Sequence, residues 1–428
     1  MKLMTLSQKL VGAALKASPL ALVVTCLLAM SPMAVAQQME WTTPPLQEHR
    51  AVVGSAGGSV KDPQALSVTI PTSTFSHVAT KDGKTYTSTI VGTNPFDPSG
   101  LNPLSSGSWS SSPPINAVVV PVVFTTGAFT FDPTVGDPND SNVSALTRFQ
   151  NSPITNNMNQ TVFNQPMGNT QFINAFRRAE FWNTIGQSSA YQNPINFTYA
   201  PKLTITGAPL TVFHLPIPGT TLYRDLGTLP PGQLQAFLES AVIPSLQSQG
   251  VIGPEEFVIF LFHNVVQAPP TLPLTLVTAG YHGAVGKPVQ TYAVVDWDTT
   301  SLIGAPDATV ASHEIAEWMD DPLGTNLAPA WGYLGEFPTS CSNLWESGDP
   351  MTGYLMPTTY IVPTDPLKYP YHLQELAYFS FFFNSPTDPS VGASYYIYKD
   401  GTYTMGQHGF QAANVCPPGG LAPFGGKW

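Results

Sequence analysis

One stretch of this sequence concentrates the side chains that could do chemistry: Ala308-Thr309-Val310-Ala311-Ser312-His313-Glu314-Ile315-Ala316-Glu317-Trp318-Met319-Asp320-Asp321-Pro322. Charged residues make up 10% of the 428-residue chain, so a histidine and four acids within about three helical turns need a reason. His313 and Glu317 are four positions apart, which places both on one face of a helix. Glu314 lies one position round from His313. The stretch holds no Lys or Arg, so its acids repel one another by roughly a few tenths of a kcal/mol per pair. A bound cation relieves that repulsion; a solvated acidic face is the alternative.

This is the layout of the His-Glu-x-x-His helix of zinc hydrolases, with Glu in place of the second His. A hydrolytic metal site needs three protein ligands, an open position and a base. His313 and Glu317 supply two ligands, and Glu314 stands where it can take a proton from water. Glu346 is the favoured third ligand, with Asp349, His282 and Asp321 as alternatives. One imidazole with two carboxylates favours zinc, and leaves manganese, iron or calcium as further choices.

The helix needs a platform and two ends. Asp307 stands where an N-cap is wanted, so the helix is expected from Ala308 to about Asp320, ended by Pro322 and Gly324. Ahead of it, Tyr292 to Trp297 reads as a strand, and Gly280 to Gly286 as a glycine-bracketed turn carrying His282. Ala117 to Phe124 and Glu256 to His263 are apolar runs of buried-strand type. Leu203 to Thr206 and Leu210 to His214 read as strands joined by Gly207-Ala208-Pro209. Two further helices are expected: Thr170 to Trp182, with Arg177 and Arg178 on a solvated edge, and Pro230 to Gln249, kinked at Pro244. Tyr371 to Phe383 and Tyr395 to Tyr403 are expected to supply closing strands. The expected fold class is α/β (α+β): a mixed sheet with the metal-site helix packed on it, zincin-like, with many long loops.

Residues 1–36 read as a signal peptide. Lys2, Lys9 and Lys16 precede an apolar run, and Ala34-Val35-Ala36 offers a cleavage site after Ala36. The mature chain is therefore expected to be secreted or periplasmic, without a transmembrane span. Residues 37–114 form a Pro/Ser-rich N-terminal segment or linker, with short strands at Leu66 to Ile70 and Tyr86 to Val91. The metallohydrolase-like core spans 115–410, and 411–428 is an irregular tail. Beyond the signal, Cys341 and Cys416 remain, and an oxidising compartment permits one disulfide between them. A net charge of −11 with 16 Lys and Arg argues against nucleic acid as a partner. No Gly-x-Ser-x-Gly elbow or phosphate-cradling loop is present. Glu336, Glu346 and Asp349 are acids among aromatics, without a spacing specific to glycoside hydrolysis.

The order of motifs resembles the phosphate-induced, exordium-like family of secreted proteins and its bacterial relatives. The matching pieces are Tyr281-His282-Gly283, Tyr292-Ala293-Val294-Val295, Ala311-Ser312-His313-Glu314-Ile315-Ala316-Glu317 with Asp321-Pro322, and Glu346-Ser347-Gly348-Asp349. His372-Leu373-Gln374-Glu375-Leu376 is similar to the family's Val-Gln-x-x-Trp segment. The match covers about Phe257 to Phe383. It departs after Asp349, where Pro350 and Met351 stand instead of the family's cysteine, and at Tyr378-Phe379-Ser380 instead of Trp-Ser-Asn. The resemblance implies an extracellular role in growth or cell-wall contexts and supports the site as a unit.

Together these readings point to a secreted metal-dependent hydrolase, a zinc metallopeptidase acting on a peptide or cell-surface substrate. The alternative is a non-catalytic extracellular binding or signalling protein with a structural metal or carboxylate cluster.

Overall fold

The β-branched run around Val118 to Val123 forms part of the longest strand, Ile115–Thr126, the one on which the main sheet is built. In the computed structural model, residues 72–81, 83–96, 114–162, 165–186, 191–268, 277–331, 342–349, 358–361, 369–374, 376–383, 395–396, 398–399 and 402–403 are described. The signal peptide, Leu66 to Ile70, Cys341, Cys416 and the 411–428 tail lie outside them, as does Glu336.

The main sheet has seven strands. From one edge its order is Gly280–Val285, Gln290–Trp297, Phe257–His263, Ile115–Thr126 and Phe129–Phe131. Ile195–Tyr199 and Leu203–Thr206 also pair with Ile115–Thr126. The inner pairs are parallel, whereas the edge strand Gly280–Val285 runs antiparallel to Gln290–Trp297. The architecture is mixed α+β, mostly strands with few helices, in open sheets.

Phe257–His263 shows why its sequence is apolar throughout. Phe257, Ile259 and Leu261 pack in one core cluster, and Val258, Phe260 and Phe262 in another. Side chains alternate across a strand, so a run buried on both faces has no polar phase. The second cluster is covered by the helical segment Gln233–Ser248, where Leu238–Val242 widens into a π turn just ahead of Pro244. That places the irregularity where the proline removes a backbone donor.

The first cluster holds the motif helix, Thr309–Asp320, and every residue of that helix is buried. Trp318 stacks on Phe257 with centroids 3.7 Å apart and planes at 10°. Replacing Trp318 by Ala would remove about 3–5 kcal/mol. Pro322 ends the helix by forcing Asp321 out of helical geometry, at φ −138 and ψ 68.

Several expectations are corrected. Gly280 to Val285 is an extended edge strand, not a turn, because every one of its residues finds a register partner in Gln290–Trp297. Asp307 is not the N-cap: Ala308 holds that position without a side-chain bond, and Asp307, at φ 40, turns its carboxylate to His372. The Phe172–Glu180 helix has no solvated basic edge. Arg177 and Arg178 are fully buried, because Arg177 meets carboxylates of the motif helix and of its own. Leu203–Thr206 and Thr211–Pro216 are strands as expected; the first joins the main sheet and the second pairs with Tyr223–Leu229. Pro370–Leu373 and Leu376–Ala377 are strands as expected, but Phe379–Phe383 is a short helix of ring-packed aromatics.

Ahead of the sheet, Thr74–Lys81 and Lys84–Val91 form an antiparallel hairpin that includes the expected strand at Tyr86 to Val91. Its Ile90 and Val91 are buried in the cores, and Asn326 accepts from the Thr89 N–H and donates to the Thr89 carbonyl. Among the described residues, no helix is long and apolar enough to cross a membrane.

Candidate metal centre

The motif helix packs between the edge strand and the loop that follows Ser342–Leu344, and each contributes to one polar cluster. The helix brings His313, Glu314 and Glu317; the edge strand brings His282; the loop brings Glu346, Gly348 and Asp349.

His313 is oriented from outside. Its Nδ1 lies 3.1 Å from Gln374 Oε1. The Gln374 amide nitrogen donates to the Gly348 carbonyl at 2.8 Å, which fixes the amide oxygen towards the histidine. An amide oxygen accepts and never donates, so Nδ1 carries the hydrogen. Nε2 then faces Glu317 Oε2 at 3.0 Å, Asp349 Oδ1 at 3.5 Å and Glu314 Oε1 at 3.9 Å.

His282 follows the same rule. Its Nε2 lies 3.0 Å from the Asp321 carbonyl, an obligate acceptor, so that nitrogen holds the hydrogen. Its Nδ1 has no hydrogen-bond partner and faces Glu314 Oε2 at 3.5 Å and Glu317 Oε2 at 3.6 Å. Both imidazoles thus turn a second nitrogen towards carboxylate oxygens. That is unfavourable unless a proton or a metal cation sits between them.

Glu317 is the common member. Its Oε1 accepts from the Gly348 and Asp349 N–H groups, both at 3.0 Å, while Oε2 has no hydrogen-bond partner. Glu314 Oε2 and both oxygens of Glu346 are also buried without one. The ligand atoms form two triads, His282–Glu314–Glu317 and His313–Glu317–Asp349, within each of which all atoms lie within 4.8 Å of one another. Glu346 belongs to neither; it lies 3.8 Å from His282 Nε2.

Protonation follows from this crowding. Burial pushes the His282 pKa down, but Glu314 and Glu317 outweigh it and bring it up to about 9. His313 is likewise raised against burial, by Glu317 and Glu314. Burial raises Glu314. Glu317 falls despite burial, because His313 and His282 face it and the Gly348 N–H supports it. Glu346 is pushed well up by burial and by Glu317. Without a metal the cluster takes up protons; with one, the same lone pairs become ligands.

No family model, curated protein or solved structure matches this chain.

The residues fit a divalent cation. Two histidines each have one nitrogen fixed by an outer acceptor, the arrangement metal-ligating histidines need, and the orphaned atoms are ligand atoms. Of the expected ligands, His313 and Glu317 adjoin directly, Asp349 completes their triad, and Glu346 stands against His282. Asp321 is engaged elsewhere. Its Oδ1 accepts from the Thr325 and Asn326 N–H groups at 2.8 and 2.9 Å, and its carbonyl orients His282.

Sequence reasoning missed three supports. Gly348 has to be glycine, since a Cβ there would come 2.5 Å from His313 Nδ1. At Gly280 a Cβ would meet Val310 Cγ1 at 2.4 Å and Glu314 Oε1 at 2.7 Å. Arg177 holds Asp320 at 2.5 Å and Glu180 at 3.0 Å, and Ser347 donates to Asp320. Asp320 is thereby removed from the set of ligands. The glycine between Ser347 and Asp349 is a signal in the sequence; Arg177, 143 positions from Asp320, leaves none.

Proposed function

We propose that this protein is a metal-dependent hydrolase of the zincin-like kind, with zinc the first choice of ion and a peptide as substrate. The ion is held by His313, Glu317 and Asp349. The observation that carries this reading is the orientation of His313: Gln374 Oε1 accepts from Nδ1, which leaves Nε2 as the nitrogen free to coordinate beside two carboxylates. Asp349 replaces Glu346 as the preferred third ligand, because it shares the His313 triad.

A divalent ion there would polarise a carbonyl and lower the pKa of a water molecule. The residues of the chain do the rest. Glu314 Oε1 lies on the His313 side of the cluster, and burial raises its pKa towards the range of a base working near neutrality. The side chain of Asp349 is 25% exposed and that of Glu317 is 0% exposed, so solvent and substrate reach the site past Asp349. The antiparallel edge strand Gly280–Val285 packs on the motif helix and ends the sheet among the described residues. Secretion after Ala36 and the exordium-like resemblance belong to the same reading.

The depth of the cluster favours one second reading, a structural metal in a non-catalytic extracellular protein: His282, Glu317 and Glu346 are all sealed from solvent. The two readings separate on Glu314→Gln in an assay over a peptide library. The hydrolase loses roughly 10²- to 10⁴-fold in kcat while metal at His313 stays. Wild-type protein that is loaded with metal and cleaves no peptide supports the structural reading.

A further inference from the structure

The two histidines address different sides of the same oxygen. His313 Nε2 approaches Glu317 Oε2 at 3.0 Å and His282 Nδ1 approaches it at 3.6 Å. They belong to separate triads that share Glu317. We propose that Glu317 Oε2 bridges two divalent cations, an outer one on His313 and Asp349 and an inner one on His282 and Glu314. This rests on the reading of the outer position given above and adds a second site to it.

Three observations carry the inner position. The Asp321 carbonyl holds the Nε2 hydrogen of His282, so its buried Nδ1 is the nitrogen free to coordinate, directed at Glu314 and Glu317. Glu314 Oε2 and Glu317 Oε2 are buried and have no hydrogen-bond partner. Four carboxylates, those of Glu314, Glu317, Glu346 and Asp349, crowd about the two imidazoles. The ion pairs of Glu314, Glu317 and Glu346 among the described residues come from His282 and His313 alone. Arg177 is occupied with Asp320 and Glu180.

The two positions differ in access. The inner ligands His282, Glu314 and Glu317 have side chains 1%, 4% and 0% exposed, against 10% for His313. The outer ion is placed to meet substrate. The inner one is closed, holds the Glu314 carboxylate in place and lets its other oxygen face the outer position. One imidazole with carboxylates suits zinc or manganese, and carboxylate-bridged pairs of such ions are about 3.5–4 Å apart in two-metal hydrolytic sites.

The test is metal stoichiometry on the chelator-stripped full chain, titrated with Zn²⁺ and followed by elemental analysis after dialysis. Two ions per chain are expected in the wild type, one in His282→Gln, one in His313→Gln and none in Glu317→Gln, with circular dichroism confirming the fold of each. Loading the wild type with Mn²⁺ gives a readout independent of any variant: a bridged pair shows an exchange-coupled electron paramagnetic resonance spectrum. A wild type that binds one ion, lost in His313→Gln and kept in His282→Gln, overturns the second site and leaves the outer one standing. Two ions with uncoupled Mn²⁺ spectra overturn the bridge. No ion bound at all removes both this proposal and the metal-dependent function.

Discussion

Gln374 decides which nitrogen of His313 faces the carboxylates. Its Oε1 lies 3.1 Å from Nδ1 while its amide nitrogen is held by the Gly348 carbonyl, so the ring presents Nε2 to Glu317. Replacing Gln374 by Ala frees the ring and its tautomer. Metal affinity at the outer position is expected to fall roughly 10- to 100-fold, measured by calorimetric titration, with the inner position unaffected. An unchanged titration would mean that the amide does not orient the ligand.

Gly348 brings the loop backbone close against His313. A methyl at Gly348→Ala would lie 2.5 Å from His313 Nδ1, so ring and loop have to part. The expected cost is about 1–3 kcal/mol of stability together with loss of the Gly348 and Asp349 N–H bonds to Glu317. Chemical denaturation and metal titration of the variant measure the two effects separately.

Beside the candidate metal centre, Arg177 stabilises by compensating Asp320 and Glu180. Arg177→Met leaves two carboxylates buried without their cation, and a loss of about 3–5 kcal/mol is expected. Adding Asp320→Asn to that variant is expected to recover part of it. A double variant no better than the single one would contradict the pairing.

These three cases show how much is legible in the sequence. His313, Glu314 and Glu317 stand at helical spacing inside an apolar stretch, so local pattern alone places them on one helix. The apolar runs around Val118 and Ile259 likewise announce strands buried on both faces. His282 is visible as a histidine between glycines, but its strand reads as a turn, because the pairing with Gln290–Trp297 is a tertiary fact. Arg177 reads as solvated for the same reason: its partner Asp320 is 143 positions away. Ranking Asp349 above Glu346 requires knowing how one loop folds over the helix, which spacing does not encode.

Acid stability offers a test away from the candidate metal centre. Burial pushes Asp137 up, but the His263 and Thr299 hydrogen bonds and the His263 ring outweigh it and bring its pKa from 3.8 down to about 2. A folded value below the unfolded one contributes stability that is present above the unfolded pKa and is lost as pH falls from about 4 through about 2. Asp137→Asn is expected to be less stable at pH 6 by about 1–2 kcal/mol, with the gap closing as pH approaches 2. Parallel unfolding curves across that range would contradict the assignment.

The most direct measurement is the divalent metal content of the purified full chain beside Glu317→Gln, the residue shared by both triads. The wild type is expected to retain metal through dialysis and to regain it after chelation, while folded Glu317→Gln holds none. Wild-type protein that is metal-free after growth in replete medium and takes up no zinc, manganese or iron on titration would contradict the account.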